Sequence, residues 1–137
     1  MKNEKDSVII DTNLWISFLL TKNFSNLDNL ISNDEITVVF SQELIDEIIE
    51  VTQRKKFKKY FDITELEALL LEIRKRALFI KVVSVVNTCR DEKDNFLLAL
   101  AKDAKASHLI TGDKDLLVLN TFEETKILSI SDYLKQK

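Results

Sequence analysis

Short apolar runs alternate along this chain with longer amphipathic stretches. Residues 7–10, 36–40, 82–86 and 108–111 are compact runs rich in β-branched side chains, such as Ile36-Thr37-Val38-Val39-Phe40 and Val82-Val83-Ser84-Val85-Val86. Each is too short for a helix and reads as a strand. Asn13 to Leu20 is apolar nearly all round, the mark of a short buried helix. Residues 24–33 carry Phe24, Leu27, Leu30 and Ile31 at helical spacing. Ser41 is a good cap for a helix with Leu44, Ile45, Ile48 and Ile49 on its inner face. Asp62-Ile63-Thr64-Glu65 starts another, whose inner face runs through Leu66, Leu69, Leu70, Ile73 and Ala77 to about residue 80. Residues 93–105 turn Phe96, Leu97, Leu100, Ala101 and Ala104 inward. A short helix at 114–119, an edge strand at 126–128 and a closing helix at 131–136 complete the pattern. Strands alternating with helices predict an α/β class fold, a three-layer α/β/α sandwich with a central, mostly parallel sheet of four to five strands.

Each of the four main strands is followed by acid. Asp11 comes directly after Val8-Ile9-Ile10. Asp91 and Asp94 follow residues 82–86, and Asp113 and Asp115 follow 108–111. Residues 36–40 lead into a helix bearing Glu43, Asp46, Glu47 and Glu50, any of which could face the strand ends or solvent. With 23 acidic residues in 137, an acid behind all four strands has roughly one chance in ten or twenty of arising at random. Acids also favour helix N-termini for dipole reasons alone. Local detail adds weight. Asp11 ends a wholly apolar strand, where burial is costly without a partner. Asp91 and Asp94 are one helical turn apart. Gly112, the sole glycine, sits beside Asp113 and hints at a backbone need at that turn. Parallel strands put all their carboxyl ends on one sheet edge, where ligands of open α/β folds bind. Carboxylates gathered there repel one another unless a cation joins them, and a hard divalent metal is the economical choice.

Composition narrows the classes. A length of 137 residues suits one domain spanning 1–137, and 45% hydrophobic residues fill a core without staples. A single cysteine, Cys89, makes no internal disulfide and points to a reducing, cytoplasmic setting. No apolar stretch approaches the roughly 20 residues of a membrane span. A net charge of −3 argues against nucleic-acid binding by charge alone but not against a nuclease with catalytic acids. One His and one Cys, 19 positions apart, do not make a zinc site, and oxygen ligands favour Mg²⁺ or Mn²⁺. His108 reads as strand packing and Cys89 as a loop residue.

Four segments carry a resemblance: V-I-I-D-T-N at 8–13, S-Q-E-L-I-D-E-I at 41–48, D-E-K-D-N-F-L-L-A-L-A at 91–101 and A-S-H-L-I-T-G-D-K-D-L-L at 106–117. The chain resembles the PIN-domain family, and within it the bacterial toxin components of toxin–antitoxin systems. The segments span nearly the whole chain in the family's order. The resemblance implies an RNase H-like nuclease fold and Mg²⁺- or Mn²⁺-dependent endoribonuclease activity. It puts the acidic quartet on Asp11, Glu47, Asp94 and Asp113, with Asp91 and Asp115 as secondary acids and Asn13 and Thr111 as supporting polar groups. It also implies a homodimer and a cognate antitoxin that covers the acidic pocket. Glu92 stands where relatives often have proline, a departure confined to the local loop.

With no histidine base in view, one or two ions would activate water for an in-line phosphodiester displacement. Asp11, Asp94 and Asp113 are then ligands, and Glu47 ligates a second ion or orients the water. The RNA backbone needs cations. Lys114 lies between two site acids. Arg54-Lys55-Lys56-Phe57-Lys58-Lys59-Tyr60 mixes charge with aromatics, as single-strand binders do, although a solvated connector with Phe57 and Tyr60 packed inward has the same composition. A phosphatase built on Asp11 lacks the paired acid such sites want. A housekeeping RNA-processing nuclease would use the same acids. A non-catalytic binding module is the alternative of a different class, and a complete acidic quartet argues against it.

Overall fold

The computed structural model describes residues 5–21 and 35–136. Six strands form one sheet: β1 (Asp6–Ile10), β2 (Ile36–Phe40), β3 (Leu78–Phe79), β4 (His108–Ile110), β5 (Thr121–Phe122) and β6 (Thr125–Leu128). Their order is β3-β2-β1-β4-β6-β5. Every neighbouring pair is parallel except β5–β6. Helices α1 (Thr12–Thr21), α2 (Gln42–Thr52), α3 (Ile63–Arg76), α4 (Glu92–Ala104), α5 (Lys114–Leu117) and α6 (Ile130–Lys135) flank the sheet in an α/β/α sandwich. The amphipathic stretch at 24–33 lies outside the described residues.

β1 is the centre of the sheet. Val8, Ile9 and Ile10 are wholly buried, as expected of a parallel strand covered on both faces. Phe40, Leu44, Ile48, Leu98, Leu100 and Leu109 close around it, with Trp15 packed on Phe40 at 5.4 Å between ring centroids. The chain runs outward from β1 to β2 and β3, then returns to place β4 on β1's other side. The junction between β1 and β4 is therefore a topological switch point, and the crevice outside their carboxyl ends is where such folds bind ligands.

Five expectations need correction. The helix expected to run to about residue 80 ends at Arg76. The sheet has six strands, because Thr121–Phe122 adds an antiparallel edge; residues 126–128 lie inside the sheet, in β6. The third strand falls at Leu78–Phe79 and not at 82–86. Leu78 and Phe79 pair with Val39 and Phe40, the last two residues of β2, and Ile80 N–H donates to the Phe40 carbonyl. Beyond Phe40 the chain turns into α2, so residues 82–86 have no ladder left to join. They remain outside the sheet, with Val83 and Ser84 N–H groups served instead by the Asp103 carboxylate. Finally, Gly112 has no positive φ, and a Cβ there would meet nothing within 4 Å, so neither backbone strain nor crowding requires glycine.

Candidate active site

Asp11, at the end of β1, is buried at 6% exposure. Its Oδ2 accepts from the Thr111 hydroxyl at 2.6 Å and its Oδ1 from the Asn13 backbone N–H at 3.2 Å. Thr111 directly follows β4 and is held in turn: its oxygen accepts the Asp113 N–H at 3.0 Å. Asp113 caps α5 by accepting the Asp115 N–H at 2.8 Å. A chain of short bonds thus fixes Asp11, Thr111, Asp113 and the start of α5 as one unit across the switch point. A cleft of about 320 Å³ opens there, lined by Asp11, Asn13, Leu14, Ser17, Gly112 and Asp113.

Asp94 comes to this edge on the first turn of α4 and is 5% exposed. Its Oδ2 is buried with no donor to accept from among the described residues. Oxygens of Asp94, Asp113 and Asp115 lie within 4.8 Å of one another. Burial first, then a hydrogen bond shared with Asp113 and repulsion from Asp113, Asp91 and Asp11, push the Asp94 carboxyl up to about 7. Burial also raises Asp11, against the pull of the Thr111 hydroxyl and the Asn13 amide, and repulsion from Asp113 and Glu47 adds to the rise. Both shifts have the same meaning: burial, helped by neighbouring acids, disfavours the charged carboxylates by more than the donors here offset.

Glu47 is half-buried and close enough to Asp11 to perturb it. Glu43, Asp46 and Glu50 are exposed: Asp46 accepts from Gln42 and Glu50 from Arg54, while Glu43 sits in the first turn of α2. Of the four acids on that helix, Glu47 is the one that is half-buried and perturbs Asp11. Asp91 is exposed and caps α4 through the Lys93 N–H, though its charge still reaches Asp94. Asn13 contributes its backbone N–H to Asp11, while the residue itself is exposed.

The candidate cations separate. Lys114 is exposed beside Asp113. Arg54 pairs with Glu50 on the surface, and Lys55 and Lys58 are exposed beyond the end of α2. Helix α2 starts at the acidic edge and runs away from it, so this basic run lies toward the opposite edge. Phe57 packs against the core, but Tyr60 does not turn inward: it is 57% exposed.

Two site residues escaped the sequence pattern. Arg90 donates from Nη2 to both oxygens of Asp115, at 3.1 and 2.9 Å. Asn95 is 3% exposed and clamps the loop before α4, accepting the Cys89 N–H at 2.7 Å and donating to the Cys89 carbonyl at 2.9 Å. The available signals were a cation directly ahead of a cluster of acids, and an amide on the apolar face of a helix. Cys89 stands in the field of the cluster. Its own burial, then Asp94, Asp115, Asp113 and Asp91, hold the thiol protonated above its usual range, which suits no nucleophile.

An all-oxygen set around an unsatisfied buried carboxylate oxygen fits a hard divalent cation. The fold and this acidic cleft define a nuclease-type α/β/α domain. A family model described as "PIN domain" matches residues 7–115, and the chain belongs to that family. It is 33% identical over 135 residues to "Uncharacterized protein MJ1680" of Methanocaldococcus jannaschii, covering 96% of this chain and 85% of that one. PIN domains are generally nucleases that use divalent metals. No helix among the described residues is long and apolar enough to cross a membrane.

Proposed function

We propose that this protein is a metal-dependent endoribonuclease that hydrolyses RNA phosphodiester bonds. The observation that carries the reading is the buried Asp94 Oδ2, without a donor, beside oxygens of Asp113 and Asp115. Such a group is costly unless something cationic completes it. Asp11, Asp94 and Asp113 would hold Mg²⁺ or Mn²⁺, with Asp115 as an outer ligand. When bound, the cation supplies charge neutralisation at the phosphate and a more acidic water for in-line attack. Thr111 keeps the Asp11 carboxylate aimed into the cleft, as supporting hydrogen bonds do around metal ligands. Glu47, on α2 and close enough to Asp11 to perturb it, would orient the attacking water. A binding module with no catalytic duty would gain nothing from this crowding and would lose stability to it.

The biological half of the proposal rests on the sequence resemblance. We read the protein as the cytoplasmic toxin of a toxin–antitoxin pair, a homodimer whose cognate antitoxin silences it by covering the acidic cleft. The test is direct. Purified protein is incubated with an RNA pool and Mn²⁺ beside Asp94→Asn, and the new RNA ends are mapped. The expected result is cation-dependent cuts from wild type only. Cuts that persist in the variant defeat the site; no cuts from either leave the binding module standing.

A further inference from the structure

We infer that Arg90 is the cleft's own counter-cation: it neutralises Asp115 while the cleft holds no metal, yields that carboxylate when a divalent cation binds, and then takes a phosphate oxygen of the RNA backbone. The inference deepens the nuclease reading and rests on it.

Three observations carry it. Arg90 reaches 25 positions along the chain to Asp115, and does so with Nη2 alone. The rest of the guanidinium fork makes no hydrogen bond among the described residues. That geometry leaves donors for a second oxyanion, and arginine's planar fork matches phosphate well. Second, the backbone around Arg90 is built rigidly. Buried Asn95 clamps Cys89 by both its N–H and its carbonyl, and Asp91 caps α4 through Lys93. The loop is fixed while the Arg90 side chain is 87% exposed, so the side chain is the part free to move. Third, Asp115 is contested. One of its oxygens lies within 4.8 Å of oxygens of both Asp94 and Asp113. A carboxylate so placed cannot serve a guanidinium and a divalent cation equally. An exposed ion pair is weak and easily displaced, whereas a divalent cation engages several carboxylates at once.

The charge layout gives the displaced arginine its purpose. The chain carries a net −3, its acids crowd the cleft, and its densest basic run lies toward the other edge of the sheet. RNA approaching the cleft needs a cation at the mouth. Among the described residues, Arg90 is the cation that makes an ion pair with an acid of the cleft.

Two measurements on wild type, Arg90→Ala and Arg90→Lys test this. In a calorimetric titration with Mn²⁺ alone, Arg90→Ala should bind the ion about three- to tenfold more tightly, because a competitor is gone, with Arg90→Lys between. In single-turnover cleavage of a single-stranded RNA oligonucleotide at saturating Mn²⁺, Arg90→Ala should need about tenfold more enzyme for half-maximal rate. Its salt dependence should be shallower by about 0.7 in log–log slope, the loss of one phosphate contact. Arg90→Lys should restore the slope but not the full affinity. A merely structural Arg90 would weaken both activities and leave the slope alone. Unchanged or weaker Mn²⁺ binding in Arg90→Ala overturns the inference, as does an unchanged half-maximal concentration or slope. Absence of cleavage by wild type sinks instead the nuclease reading, and the phosphate contact with it, while the Mn²⁺ titration still decides the counter-cation role.

Discussion

Strands β1 and β4 lie side by side and end in opposite chemical conditions. At their amino edge the polar side chains of Asp6, Ser7, Ser107, Thr125 and Tyr133 are hydrogen-bonded. Ser7 N–H donates to the Ser107 hydroxyl at 2.9 Å and Ser107 N–H to the Ser7 hydroxyl at 2.9 Å. The Ser107 hydroxyl also meets His108 Nδ1 at 2.7 Å, and Tyr133 OH donates to Asp6 at 2.7 Å. Thr125 closes the edge by donating to the Ala106 carbonyl. At the carboxyl edge, four residues further along the same strands from Ser7 and Ser107, carboxylates crowd together and Asp94 Oδ2 has no donor among the described residues. One edge spends its polarity on holding strands together. The other keeps polarity in reserve for something not in the chain. Perturbed acids in a cleft mark function more often than structure, and the contrast within one pair of strands makes the point locally.

The sharpest way to break the comparison is to remove one carboxylate. Asp94→Asn should abolish RNA cleavage, a loss of about a thousandfold or more, yet raise the melting temperature of the metal-free protein at pH 8 by a few degrees. The sign follows from linkage. A carboxyl raised to about 7 in the fold favours its protonated form there. Its contribution to stability is complete below the unfolded value near 4 and is lost as pH climbs to 7. The advantage of Asp94→Asn should therefore be near zero at pH 4 and full above pH 7.5. Mn²⁺ should raise the wild-type midpoint at pH 8 and raise that of Asp94→Asn far less. A variant that melts lower than wild type across the range would mean that Asp94 is a structural residue.

Next in size is Thr111→Val. It removes the donor to Asp11 and the acceptor for Asp113 N–H while keeping the β-branched shape. Loss of such a supporting bond costs about 10- to 100-fold in metal affinity or rate. Steady-state cleavage across a Mn²⁺ titration checks it, and a loss confined to stability with normal cleavage would remove Thr111 from the site. The amino edge should respond in the opposite manner. Tyr133→Phe deletes a hydrogen bond to a carboxylate and should cost about 1.5–3 kcal/mol in urea unfolding. Its cleavage rate and its Mn²⁺-induced stabilisation should stay at wild-type values.

What could be read in advance follows the same division. Elements with their own periodicity were legible: β1, β2, β4 and helices α1, α2 and α4 fall where their apolar spacing puts them, while α3 starts as expected but gives way to β3 before residue 80. The third strand was misplaced because V-V-S-V-V has strand chemistry, and only the length of β2 denies it a partner. That information belongs to the neighbouring strand. Asp11 and Asp113 were legible because they follow apolar strands, Asp94 because it follows an apolar run that the fold leaves outside the sheet, and Glu47 only through resemblance. The half-buried position of Glu47 is a tertiary fact that no helical period distinguishes from Asp46 or Glu50. Arg90 and Asn95 were missed because their roles depend on partners that the fold alone brings near: Asp115, far along the chain, and the backbone of Cys89.

The smallest expected effect concerns the basic run. Helix α2 ends at Thr52, about 8 Å further from the acidic edge than Glu47 at the usual helical rise. Lys55 and Lys58 lie beyond that, and Arg54 is already paired with Glu50. A lysine there is too distant to touch the phosphate being cut, and any flanking RNA would have to travel down the side of the sheet to meet it. The double variant Lys55→Gln, Lys58→Gln should therefore change the enzyme concentration for half-maximal single-turnover cleavage by less than about twofold and leave the salt slope unchanged. A shift of about tenfold with a slope reduced by one to two units would show that RNA reaches from the carboxyl edge to the amino edge. The two edges would then share one substrate, and the division drawn between them would hold for the chemistry but not for binding.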